Sequence, residues 1–117
     1  MSQTPEQEAA FNTKIAELKA QHPGSSLHLI DLEDLQAQVV MRSLTPEEWK
    51  HLNSLTDERQ KDFHMEQYTI RCTLWVVEPE GASISGLLQE YPGLINPLSK
   101  QLMEITGALV KAVAKKL

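Results

Sequence analysis

The 117-residue chain is 41% hydrophobic and 23% charged, with a formal net charge of −5, the balance of a globular domain with one modest core. So acidic a chain lacks the basic face that phosphate binding needs, which excludes nucleic acid as the main partner. One cysteine, Cys72, excludes an intrachain disulfide framework and fits a reducing compartment. The opening MSQTPEQEAA is too polar for a secretory leader, and no apolar run approaches the roughly 20 residues of a membrane span. The expectation is a single domain over residues 1–117, mainly α with a short β-hairpin, hence a small compact helical domain of the α+β kind. Its acidic excess sits in the first part of the chain: residues 1–66 hold 12 acidic and 6 basic residues, and residues 67–117 hold 4 and 5.

Thr4-Pro5-Glu6-Gln7 predicts a helix start, with Thr4 as cap, Pro5 in the first helical position and Gln7 closing a capping box. Ala10, Phe11, Ile15 and Leu18 follow at helical spacing, and Pro23-Gly24 ends the run. The apolar face is thin, so residues 1–24 form an N-terminal helix expected to dock loosely. From Leu27 to Leu44 the chain alternates, and Val39-Val40-Met41 is β-prone. A hairpin turning between Asp31 and Gln36 is favoured there. A helix from Asp31, with Leu32, Leu35 and Val39 as its apolar face, competes with it.

Thr45-Pro46-Glu47-Glu48 repeats the start signal with Glu48 as the box partner, and Trp49, Leu52 and Leu55 make a narrow inward stripe. After a break at 53–57, Thr56 is placed to cap a helix that begins Asp57-Glu58 and runs to about Val77. Phe63, Ile70, Leu74 and Val77 form one apolar row of it, and Met65, Tyr68, Cys72 and Trp75 another. Tyr68 to Val76 also alternates as a strand would, so both assignments stay open. A connector, Glu78 to Leu94, exposes Ile84, Leu87, Leu88 and Tyr91 as either a core plug or a protein-contact site. Asn96-Pro97 opens an amphipathic C-terminal helix over 96–117. Leu98, Leu102, Ile105, Leu109 and Val113 form its apolar face, widened by Met103, Val110 and Leu117. Lys111, Lys115 and Lys116 complement the helix dipole, and Gly107 inside the run costs about 1 kcal/mol against Ala. Truncation after Gly107 is expected to abolish the fold.

Chemistry-bearing patterns are scarce. His22, His28, His51 and His64 show no metal-ligand spacing, and His51 and His64 fall on different helices, as surface imidazoles do. Cys72 lies in an apolar row with Arg71 facing elsewhere, which predicts a buried core thiol instead of a nucleophile. Glu47-Glu48 and Asp57-Glu58 are first-turn carboxylates at helix starts. The chain carries no phosphate-binding glycine motif or nucleophile elbow. The expectation is therefore no enzyme, and no catalytic, cofactor-binding or metal-binding residue is assigned. The lysine-edged C-terminal helix suits its own core or a partner helix better than an anionic membrane surface.

Three stretches in order resemble a known family. VVMRSLTPEEWKHL is similar to the entry of the middle helix in small tail-assembly proteins of tailed bacteriophages. IRCTLWVVEP is similar to the segment that follows there, and YPGLINPLSKQLMEITG to the closing proline-glycine turn, apolar helix and terminal glycine. The resemblance spans residues 39–108, and the chain departs from it where Ala108 replaces the aromatic after the glycine and where the run continues to Leu117. The family comprises tail assembly chaperones and small baseplate or hub components. It implies a non-enzymatic virion assembly protein without cofactors, acting by protein–protein binding in the host cytoplasm during assembly or in the virion tail.

Its implied partners are other tail proteins, the tape-measure protein or baseplate subunits, with homo-oligomers as a further option. No nucleic-acid or membrane partner is implied. A chaperone would cover apolar helical stretches of the tape-measure protein, and a baseplate subunit would bury the same surface permanently. Trp49, Trp75, Leu87, Leu88, Tyr91, Leu102 and Leu109 are the core or contact candidates. The alternative function is a host-side adaptor or regulatory domain, such as an antitoxin or anti-repressor, whose acidic half mimics nucleic acid.

Overall fold

The computed structural model describes residues 4–117. Among them the elements are α1 (Pro5–Gln21), β1 (Leu27–Leu32), β2 (Ala37–Arg42), α2 (Pro46–Ser54), α3 (Glu58–Cys72), β3 (Thr73–Glu78), α4 (Ile84–Glu90) and α5 (Ile95–Thr106). The fold is α+β, as expected: helices packed on a three-stranded antiparallel sheet in the order β1-β2-β3.

Both capping boxes form. Thr4 Oγ1 accepts from the Gln7 N–H at 3.1 Å, and Gln7 Oε1 accepts from the Thr4 N–H at 3.0 Å. The Thr45–Glu48 box has the same geometry, at 3.2 and 3.0 Å. Each box gives two of the orphan N–H groups of a first turn a partner, so these two starts are set locally. The third helix is capped by Asp57, whose carboxylate accepts from the Arg59 N–H at 2.8 Å, one residue later than the expected Thr56.

The hairpin over 27–42 is present, and the competing helix from Asp31 is not. A 3-10 turn, Glu33–Leu35, followed by left-handed Gln36, reverses the chain. The sheet has two apolar rows. Ile30, Val39 and Val76 pair across the strands and face the main core, while Leu29, Val40 and Trp75 pair on the opposite face. Phe11 of α1 covers that second face, its ring centroid 5.6 Å from that of Trp75. Leu18 is the buried residue of α1.

The segment 68–77 divides between its two sequence patterns. The helix ends at Cys72 and the strand begins at Thr73, with no loop between them. The expected continuation of the helix to Val77 does not occur, for two reasons. Thr73-Leu74-Trp75-Val76-Val77 is rich in strand-forming residues, and the buried edge of β2 offers it a ladder of backbone partners. The Thr73 N–H caps α3 on the Ile70 and Thr69 carbonyls, and its hydroxyl donates to the Thr69 carbonyl at 2.9 Å. The helix is thereby closed by the first residue of the strand. Phe63, expected in the inward row, is 56% exposed.

The main core lies between the sheet and helices α2 to α5. Val39, Met41, Cys72, Leu98 and Leu102 are completely or almost completely buried there. Each such aliphatic side chain contributes about 1.5–3 kcal/mol by leaving water. Two polar contacts fix α5 within this layer. Thr69 and Ser99 hydroxyls meet at 2.9 Å, and the Leu44 N–H donates to Thr106 Oγ1 at 3.1 Å. The helix α5 begins at Ile95, directly after a 3-10 turn, Pro92–Leu94, and without a side-chain cap, so Asn96-Pro97 lies inside its first turn and does not open it.

The C-terminal helix is shorter than its apolar pattern. It stops at Thr106, because Gly107 takes a left-handed φ of 94°. The Gly107 N–H then donates to the Glu104 carbonyl at 3.1 Å and the Ala108 N–H to the Met103 carbonyl at 3.0 Å. This is the paired-bond arrangement by which glycine ends helices. Residues 108–117 are neither helix nor strand, and all are exposed. The expectation that truncation after Gly107 abolishes the fold is therefore replaced. A chain ending at Gly107 should unfold within about 0.5 kcal/mol of the full chain, because no buried side chain is removed. Parallel urea titrations of the two chains measure this.

Candidate functional site

The candidates chosen from sequence do not converge on one surface. Leu87 and Leu102 are buried in the main core, with Trp49 and Leu88 packed against it. Trp75 lies on the opposite face of the sheet against Phe11. Tyr91 and Leu109 face solvent, at 40% and 56% exposure. Of the two alternatives for the connector, Ile84, Leu87 and Leu88 follow the core plug: they lie on α4, capped by Ser83, whose hydroxyl accepts from the Gly86 N–H at 3.0 Å. One turn of this helix drives Leu87 inward and packs Ile84 and Leu88 beside it.

The most exposed apolar segment is the arm 107–117. Leu109 is 56% exposed, Val110 and Val113 are each 73% exposed, and Leu117 is fully exposed. On a helix these four side chains would share one face roughly 100° wide, with Lys111 and Lys115 on the opposite side. Ten residues are too few to hold a helix alone in water, which accounts for the irregular backbone.

A polar cluster joins β2, α2 and α3, with Arg42 buried, Glu48 half-buried and Arg71 exposed. Arg42 grips Glu48 with both guanidinium ends, Nη1 to Oε1 at 2.6 Å and Nη2 to Oε2 at 3.0 Å, and Arg71 Nη1 stands 3.7 Å from Oε2. Glu48 also accepts from the Thr45 N–H, so one carboxylate caps α2 and ties it to the sheet. The hydrogen bond from Arg42 holds the Glu48 carboxyl well below the usual carboxylate range, at about 2, against the opposing effect of burial. Arg42 Nε has no hydrogen-bond partner within this cluster.

Cys72, as expected, is a buried thiol, completely removed from solvent. Burial pushes the Cys72 thiol up to about 11. Iodoacetamide at pH 8 is thus expected to leave the native protein unlabelled and to label it fully in guanidinium. Intact-protein mass spectrometry reads both states.

Spacing alone missed a further grouping. His51 of α2 and His64 of α3 stand with ring centroids 4.9 Å apart, and His51 Nδ1 is 2.7 Å from the Tyr68 hydroxyl. Arg71 lies over the Tyr68 ring, its guanidinium carbon 5.1 Å from the ring centroid. The two histidines are thirteen residues apart in sequence, and the turn between α2 and α3 brings them together. They are a contact between helices where scattered imidazoles were expected. Among the described residues, no helix is long and apolar enough to cross a membrane. Comparison with protein-family models, with curated proteins and with solved structures finds no match for the chain.

Proposed function

We propose that this chain is a non-enzymatic assembly protein of a bacteriophage tail or baseplate, acting through protein–protein binding. The observation that carries the proposal is the arm 107–117, which places four apolar side chains in solvent beside a core that is already complete without them. Solvent-facing apolar segments of this kind mark contact sites for other polypeptides. The resemblance to tail-assembly proteins adds support. Its three stretches supply Met41 and Leu52, then Cys72 and Val76, then Leu98 and Leu102 to one shared core. The family-like residues therefore act together as one unit, with the arm attached at its closing glycine.

In this role the protein works by covering and releasing surfaces of other tail proteins, in the cytoplasm of the infected host or within the finished tail. A phage carrying Leu109→Asp and Val113→Asp in this chain tests the proposal. Electron microscopy of the lysate should show heads with missing or aberrant tails. Normal tails and normal titre would overturn it.

A further inference from the structure

We propose that α1 is a strap that swings off the sheet as a unit, so that the second face around Val40 and Trp75 alternates between covered and uncovered states. The inference does not rest on a role in phage assembly.

Little holds this helix down. Phe11, Ile15 and Leu18 form one stripe along it, four and three residues apart, and every other residue of α1 is exposed. Phe11 stacks on Trp75, and Leu18 and Val40 are buried apart from the main core. The polar bonds of α1 are its own: the Thr4–Gln7 box, and the Thr13 hydroxyl donating to the Ala9 carbonyl at 2.9 Å. Among the described residues, no hydrogen bond or salt bridge joins α1 to another element. The helix α2, by contrast, is tied by Arg42 to Glu48 and by His51 to Tyr68, and α5 by Thr69 to Ser99.

The helix is also equipped to move as one piece. It has 17 residues, its own capping box, Glu6 and Glu8 in the first turn and Lys19 in the last. Its joint is short and defined. The Ser26 N–H donates to Ser43 Oγ at 2.9 Å, and the Ser43 N–H to the Ser26 carbonyl at 2.9 Å. The chain is thus pinned to the sheet from Ser26 onward, which leaves residues 22–25 to absorb the rotation. No residue of α1 belongs to the main core, so opening gives up only the contacts of the second face. Such an opening lies below global unfolding in free energy.

Native-state hydrogen exchange on the full chain, read residue by residue by NMR, tests this. The α1 amides should exchange through one common opening, at least about 100-fold faster than those of β2 and α5. Their exchange should depend weakly on added urea, because one small face is uncovered, whereas β2 amides should show the full dependence of global unfolding. Phe11→Ala should speed α1 exchange about tenfold or more. Trypsin should cut after Lys14 and Lys19 while Arg42 in β2 stays intact. Amides of α1 as slow and as urea-sensitive as those of β2 would overturn the inference. So would rates that fall off gradually from Pro5 toward Gln21, which would mean fraying of the end in place of a swing. Because no readout involves phage particles, failure here leaves the particle-morphology test of the proposed function intact.

Discussion

Glu48→Ala is expected to destabilise the fold by about 3–5 kcal/mol, because it strands the Arg42 guanidinium in the interior without its partner. Arg42 is 6% exposed, and its Nη atoms would keep only the long 3.3 Å contact to the Ser43 carbonyl. The same substitution removes the acceptor for the Thr45 N–H and so half of the cap of α2. The double variant Arg42→Met, Glu48→Met should recover most of the loss, since a buried ion pair is often replaced by packed apolar groups at little net cost. Guanidinium unfolding midpoints of the three chains test this. A Glu48→Ala chain within about 1 kcal/mol of wild type would show that water reaches Arg42. The pair also leaves a signature in pH. The folded-state value of Glu48, about 2, lies below its ordinary value of 4.5, so its stabilisation is fully present above about pH 4.5 and is lost as pH falls through about 2. Glu48→Gln should lack that component of the acid limb.

Leu102→Ala is expected to cost about 2–5 kcal/mol. Leu102 is completely buried on α5, in the layer where α3, α5 and the sheet meet, so its truncation leaves a cavity inside the core. Leu109→Ala, seven residues further along the same sequence pattern, should change stability by less than about 0.5 kcal/mol. Measuring both by urea denaturation places the end of the load-carrying helix between them. Equal effects at the two positions would mean that the arm packs on the core in solution.

Features set by neighbours in sequence were legible from sequence. The two Thr-Pro-Glu starts were, because a capping box is complete within four residues. The hairpin was as well, because Val39-Val40-Met41 is a β-prone run and the polar stretch from Asp31 to Gln36 lets the chain turn. Boundaries decided by tertiary partners were not. Tyr68 to Val77 satisfies both periods, and only pairing with β2 converts its second half to strand. The continuing apolar pattern past Gly107 looked like helix, but the two bonds to Glu104 and Met103 close α5 first. The Arg42–Glu48 bridge has one signal in the sequence: an arginine ending the apolar run Val39-Val40-Met41 needs a carboxylate if the strand is buried. The His51–His64 contact had none, since it depends on the angle at which α3 returns along α2.

The direct junction at Cys72–Thr73 has a mechanical consequence. Most helices feed a strand through a loop, whose backbone absorbs small rotations. Here there is no slack. A tilt of α3 is passed to Trp75 within three residues, and from Trp75 through its ring contact to Phe11 on the far side of the sheet. The two faces of the protein are therefore connected in series, from the α2–α3 side through the Cys72–Thr73 junction and the Trp75–Phe11 ring contact to the N-terminal helix.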